Sequence, residues 1–208
     1  MWSTPVEECW IRAGIVAFVC TKALLSAVRS ALFAWRHGRR PVAPPRDASE
    51  RRVYGLFLSL MAAAGLDCAT RWLFPQLYRW WLPMRALEVP ALFGASLLLI
   101  VGGAGFTFYC QSAMGRSWRI GIPAERTELV TTGVYSRIRH PIYAGFLAWL
   151  AGLVLLLPNL LSLAIFVGGV FVLTRWARRE EARQLEIHGE AYRNYCARTG
   201  RFLPTMQH

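Results

Sequence analysis

Lysine occurs once in this 208-residue chain, at Lys22, so 23 of its 24 basic residues are arginines, and they face only 12 acidic ones. The arginines fall between apolar segments rather than along one amphipathic face, which argues against a nucleic-acid-binding surface. Cysteine is also sparse. Cys9, Cys20, Cys68, Cys110 and Cys196 show no Cys-x-x-Cys spacing. Neither a zinc site nor a disulfide framework is therefore expected, and no metal site is assigned. The first apolar run is preceded by no basic stretch and followed by no small-residue cleavage site, so the first segment is expected to stay in the mature chain. Internal repeats and low-complexity tracts are absent, and the Arg- and Pro-rich linker at 36–52 is the single flexible candidate.

Apolar residues are plentiful. They make up 55% of the chain and include nine tryptophans, and the mean hydropathy is positive, too apolar a composition for a soluble domain of this size. Segments near 13–34, 53–73 and 89–110 are long enough to cross a ~30 Å hydrocarbon layer as helices. Lys22 and Arg29 interrupt the first, so they must snorkel, pair or face neighbouring helices. The run 74–88 carries Phe74, Pro75, Tyr78, Trp80, Trp81 and Pro83, which suits the headgroup layer. The apolar run from Ile142 to Thr174 breaks at Pro158-Asn159, which predicts a helical hairpin with arms of about 16 residues.

Eighteen of the 24 basic residues lie in 36–52, 111–140 and 175–208, which by the positive-inside rule places those stretches in the cytosol. The expected architecture is all-α: a polytopic membrane bundle of about five transmembrane helices, with the C-terminal hairpin and then a cytosolic C-terminal helix. The N-terminus would lie outside. One domain is expected over 1–208, with N-terminal transmembrane helices at 1–110 and the chemistry-bearing half at 111–208.

Two polar clusters flank the hairpin. The first is Gly133-Val134-Tyr135-Ser136-Arg137-Ile138-Arg139-His140-Pro141-Ile142-Tyr143-Ala144-Gly145, in which Pro141 fits the first turn of a helix. Arg139 and His140 then sit at the helix mouth beside unpaired N–H groups, where an anionic group is favoured. The second comprises Glu180-Glu181, Leu185, His188-Gly189, Tyr192, Tyr195 and Arg201-Phe202-Leu203-Pro204. Glu181, Leu185, His188, Tyr192 and Tyr195 share one helical face. A plain alternative pairs Glu180 and Glu181 with Arg183 and Arg178 on a solvated surface.

The combination resembles the isoprenylcysteine carboxyl methyltransferase and phospholipid methyltransferase superfamily over about residues 115–204. The resemblance implies a membrane enzyme that uses S-adenosylmethionine and a lipophilic or small acceptor entering from the bilayer. It further implies cofactor contacts from Thr127, Glu128, Leu129, Val130, Tyr135, His140, Pro141, Ile142, Tyr143 and Glu180. A carboxylate acceptor would need a cation, for which Arg175, Arg178 or Arg179 are candidates, whereas an amine or thiol would need a base such as Glu181 or His188. Trp176 stands where the family has its substrate-facing arginine.

Carboxyl O-methylation is the leading reaction, with phospholipid N-methylation and thiol S-methylation as alternatives. An NADPH-dependent sterol-type reductase and a non-catalytic membrane protein are the competing classes. The arginine-rich composition points to a high-GC bacterial genome, and hence to an inner-membrane enzyme whose active site faces the cytoplasm. Its partners would be membrane lipid and a small or lipophilic acceptor, with no nucleic acid; the sequence leaves the oligomeric state open.

Overall fold

Among the described residues seven α-helices form: α1 (Pro5–His37), α2 (Ala48–Leu73), the short α3 (Pro75–Tyr78), α4 (Pro90–Ala113), α5 (Pro141–Leu156), α6 (Leu160–His188) and α7 (Glu190–Arg198). They are seen in a computed structural model that describes residues 5–38, 41, 45, 47–119 and 128–205. Among the described residues pairing outside helices is confined to isolated bridges, Pro83 with Asn159 and Ile138 with Gly200. α1, α2, α4 and α6 are long and apolar enough to cross a membrane, and α5 is a fifth, shorter apolar helix. Only 17 to 33% of each long helix's apolar window is buried. The remainder, including Leu98, Val167 and Phe171, is exposed and needs lipid around it. The protein is an integral, multi-pass membrane protein.

The helices alternate in direction, so each end of the bundle collects particular segments. One end holds the aromatic connection 74–88 and the Pro158-Asn159 turn. There Asp67 is fully buried and accepts a 3.0 Å hydrogen bond from the Asn159 amide, so no carboxylate is left bare in hydrocarbon. Asn159 also caps α6, accepting from the Ser162 N–H at 2.8 Å while Ser162 Oγ faces the Asn159 N–H. At the same end Arg71 pairs with Glu8 at 2.6 Å. The two basic interruptions of α1 turn inward: Arg29 donates to the Gln111 carbonyl at 2.8 Å and stacks on Trp118, and Lys22 lies 4.3 Å above the Phe146 ring.

α5 is short because it is the centre of the bundle rather than a lipid-facing span. Trp149, Leu150 and Leu153 are buried and pack with Phe18, Ile100, Ile165 and Leu173 in one core. α4 and α5 approach until their backbones touch. A Cβ on Gly103 would fall 2.6 Å from the Gly145 carbonyl oxygen and 2.7 Å from the Trp149 nitrogen, a contact that only glycine permits. The hairpin forms as expected but its arms are unequal. α6 continues past Thr174 without a break because the sequence that follows is rich in Ala, Arg, Glu, Gln and Leu and has no proline before Gly189. The second arm and the start of the polar helix are thus one 29-residue rod, which carries Glu180 and Glu181 beyond the bundle.

The Gly103 contact is backbone against backbone and cannot relax by rotamer change. Gly103→Ala should lower unfolding stability in detergent by about 1–3 kcal/mol, whereas Gly102→Ala, whose Cβ meets nothing within 4 Å, should be near neutral. Equal melting temperatures for the two variants would refute the close approach.

Candidate active site

The second end of the bundle is organised by the segment 133–140. Gly133 has φ +60° and opens a short 3-10 turn through Ser136, after which the chain extends alongside the C-terminal tail. Arg139 N–H donates to the Gly200 carbonyl at 2.8 Å, His140 N–H to the Arg201 carbonyl at 2.9 Å, and Gly200 N–H to the Arg137 carbonyl at 3.1 Å. A side chain at Gly200 would overlap the Leu203 carbonyl, so the tail can turn there only with glycine. Tyr195 donates to the Tyr135 carbonyl at 2.6 Å, and Tyr135 donates to the Cys110 carbonyl at 3.1 Å. Burial pushes the Tyr195 phenol up to about 12, so it stays a donor at physiological pH. Pro141 opens α5, as its sequence position predicts, with His140 as the N-cap residue.

Glu181 ties these pieces to α6. Its carboxylate accepts from Arg139 Nε at 3.1 Å and from Arg201 Nε and an Arg201 terminal nitrogen at 3.0 and 2.7 Å. His140 Nε2 lies 3.3 Å away; that nitrogen is buried and not aligned for a hydrogen bond, so the interaction is charge attraction across a short gap. Arg139 also reaches the Cys196 carbonyl at 3.0 Å and the Thr199 carbonyl. Glu180 points the other way. It accepts from the Tyr143 hydroxyl at 2.7 Å, and its second oxygen is 3.4 Å from His140 Nδ1. Burial disfavours the charged imidazole, but the close carboxylates of Glu180 and Glu181 outweigh it and hold the His140 pKa above its ordinary value. The pairing of both glutamates with Arg183 and Arg178 on a solvated face is not what forms. Arg183 pairs with Glu186 and Arg179 with Asp47.

Glu180 faces a cavity of about 240 Å³ bounded by α2, α4, the 128–143 segment, α6 and α7. Nine of the ten residues assigned to the cofactor line it: Glu128, Leu129, Val130, Tyr135, His140, Pro141, Ile142, Tyr143 and Glu180. The tenth, Thr127, lies outside the described residues. The three residues assigned to catalysis are placed otherwise. Arg175 and Arg178 are exposed on α6, with the Arg175 guanidinium over Phe171, because α6 turns those positions away from the cavity. Glu181 is one residue, about 100°, off the cavity-facing stripe, and two arginines already occupy its oxygens. Arg175, Arg178 and Glu181 are therefore not cavity-lining residues.

Several wall residues were not assigned to the site from the sequence, although Trp176 stands where the resembled family has its substrate-facing arginine. Leu173, Trp176, Glu180 and Gln184 follow one face of α6 at steps of three and four, and that spacing from Glu180 could have located Trp176 and Gln184. Tyr54 and Phe57 of α2 also line the cavity, but nothing in their apolar segment marks them. Two polar wall atoms, Trp176 Nε1 and Gln184 Oε1, are buried with no hydrogen-bond partner among the described residues. A cavity with a carboxylate, aromatic walls and open polar valences at the end of a transmembrane bundle defines the class: a polytopic helical membrane protein with an interfacial ligand site.

Comparison with known proteins narrows the class. Residues 96–186, the segment that supplies most of the cavity wall, match the model of the isoprenylcysteine carboxyl methyltransferase (ICMT) family. A probable protein-S-isoprenylcysteine O-methyltransferase of Oryza sativa subsp. japonica is 27% identical over 204 residues, covering 94% of this chain and 98% of the relative. The protein-S-isoprenylcysteine O-methyltransferase of Saccharomyces cerevisiae is 44% identical over 80 residues, 36% of this chain and 32% of the relative. The solved structure of the eukaryotic intramembrane Ras methyltransferase ICMT superposes with a TM-score of 0.55 at 22% identity, over 76% of this chain and 54% of that one; it supports the fold. The chain is thus similar to a family of membrane methyltransferases, a likeness that implies a methyl-donor cofactor in general. The reductase and non-catalytic readings are not favoured.

The His140 imidazolium is anchored by carboxylates, so its stabilising effect should be complete below the ordinary histidine pKa of ~6.5 and fade as pH rises through the raised folded value. The melting-temperature difference between the wild type and His140→Asn should be largest at acidic pH and shrink at alkaline pH; growth of that difference with pH would mean the imidazole is neutral in the fold. Glu181→Ala, which strips two buried-side guanidinium partners at once, should cost about 3 kcal/mol or more and expose the 199–205 tail to proteolysis. An unchanged cleavage rate would show that Glu181 does not hold the tail.

Proposed function

We propose that this protein transfers a methyl group from S-adenosylmethionine to the carboxylate of a lipophilic acceptor, at the cavity lined by Glu180, His140 and Tyr143. The observation that carries the reading is the inward-facing Glu180, held by Tyr143 and His140 at the wall of a cavity that Tyr54, Phe57 and Leu173 continue towards the apolar helices. S-adenosylmethionine brings an ammonium, a carboxylate, a sulfonium and an adenine, and the residues present fit each. The Glu180 carboxylate has lone pairs left for an ammonium. Tyr135, Tyr143, Tyr192 and Trp118 offer flat faces to a sulfonium and an adenine. The unpartnered Gln184 oxygen suits an exocyclic amine, and the His140 end of α5 suits a carboxylate.

When bound, the cofactor supplies an electrophilic methyl on positively charged sulfur. The chain's own residues align and desolvate. Leu129, Val130 and Ile142 exclude water from the cavity, and the Glu181 clamp fixes the His140 wall relative to α6, so that two reactants are held in line. A carboxylate needs no general base, which leaves Glu180 to bind rather than to take a proton. Glu181 acts as a positioning residue under this reading, and Arg175 and Arg178 are surface cations that retain the cytosolic side of α6. Since the site end of the bundle carries most of the basic residues, the site faces the cytoplasm, and the arginine-rich composition fits a bacterial inner membrane. The unit is the whole chain, because α2 contributes Tyr54 and Phe57 to the site.

Calorimetry on detergent-purified protein should show S-adenosylhomocysteine binding, weakened roughly 10- to 100-fold in Glu180→Ala by loss of a charged hydrogen bond and unaffected in Arg178→Ala. Binding of NADPH in its place would overturn the proposal in favour of a reductase.

A further inference from the structure

We infer that the indole N–H of Trp176 positions the methyl acceptor by donating to its non-attacking oxygen, and that it makes the site selective for a carboxylate over an amine. The inference rests on reading the cavity as the methyl-transfer site. Trp176 lines the cavity, and its Nε1 is buried without an acceptor among the described residues. An indole nitrogen can only donate, and a buried donor left unmade costs about 1–3 kcal/mol. A wall residue in that condition calls for a ligand atom with a spare lone pair.

Its place on α6 says which ligand. Trp176, Glu180 and Gln184 lie at i, i+4 and i+8, so Trp176 is about 6 Å from Glu180 along the axis and Gln184 about 6 Å in the opposite direction. Gln184 and Glu180 belong to the polar end. Trp176 lies toward Leu173 and the membrane-spanning part of the helix, its ring meeting Tyr54 of α2 edge-on with centroids 6.1 Å apart. Phe57 of α2 and Leu173 of α6 line the cavity with apolar side chains on the same side. A lipid-borne acceptor entering there presents its polar head to Trp176.

The donor discriminates by lone-pair count. A neutral amine has one lone pair, which must point at the methyl carbon during attack, so none remains for the indole. A carboxylate has two oxygens. One forms the new O–CH3 bond as the C–S bond breaks and its electron pair stays on sulfur, leaving a neutral ester and a neutral thioether with no proton to move. The other accepts from Trp176 throughout. Negative charge on that oxygen falls as the ester forms, so the hydrogen bond is at least as strong to the bound acid as to the transition state. Its loss should appear in KM rather than in kcat.

The test compares wild type with Trp176→Phe, which keeps the ring against Tyr54 and removes the N–H. S-adenosylhomocysteine affinity should be unchanged. The KM for a long-chain thioether carboxylic acid should rise roughly 5- to 150-fold, the equivalent of one buried hydrogen bond, with kcat within about two-fold. Trp176→His, whose ring keeps an N–H, should recover part of the loss. An unchanged KM with cofactor binding intact would overturn the role of Trp176, and so would a loss confined to kcat and S-adenosylhomocysteine affinity, the signature of a merely structural residue. A wild-type enzyme that methylates only the matched alkylamine would overturn the carboxylate reading, and one that binds no S-adenosylhomocysteine would overturn the cavity reading beneath it.

If Trp176→Phe does not fold, wild-type protein suffices. Decane-1-sulfonate, which accepts hydrogen bonds but attacks carbon poorly, should bind the S-adenosylhomocysteine complex in calorimetry more tightly than decylamine; the reverse order would refute the inference.

Discussion

The Glu181 carboxylate is the junction on which the geometry of this protein depends. One side chain on α6 receives Arg139 from the segment before α5, Arg201 from the C-terminal tail and the near approach of His140. Other links join these pieces two at a time, Arg139 to the Cys196 and Thr199 carbonyls and Tyr143 to Glu180, but Glu181 is where all three meet. The cluster is largely withdrawn from solvent, which strengthens the attraction between its charges. Its consequence is felt one residue away: with Glu181 committed to structure, Glu180 is left facing the cavity with Tyr143 and His140 as its only described partners.

α6 is what lets a membrane bundle present such a site. Its first half is a lipid-facing span capped by Asn159, and its second half continues as the same rod into polar surroundings. A stripe at steps of three and four, from Leu173 through Trp176 and Glu180 to Gln184, therefore changes along its length from apolar to polar while facing one cavity. That gradient matches a reaction between a polar cofactor and a lipid-borne acid: each reactant can approach from the phase that dissolves it, and the two meet where α2, α5 and α6 converge. The short α5, none of whose residues is exposed, supplies the rigid side of the cavity, because its contact with α4 is backbone against backbone at Gly103.

Much of this was legible in the sequence. The long apolar runs and the break at Pro158-Asn159 were enough to give the bundle, because hydropathy acts locally and lipid imposes length. Of the residues that the resemblance assigned to the cofactor, the nine that are described line one cavity. What failed to show was facing. Glu180 and Glu181 are chemically identical in the sequence, and which of them looks inward is decided by Arg139 and Arg201, 42 and 20 residues away. Arg175 and Arg178 looked like acceptor-binding cations by charge alone, yet the phase of α6, set by Leu173 and Ala177 in the core, turns them outward. Tyr54 and Phe57 carried no local signal, since their part in the cavity arises only from the packing of α2 against α6.

The most direct test of the account is a structure of the protein determined with S-adenosylhomocysteine bound. The account predicts the amino group of the ligand on Glu180, its adenine toward Gln184, and its sulfur turned toward Trp176, Phe57 and Leu173. Density for the ligand outside this cavity, or within it but with Glu180 untouched, would contradict the central claim.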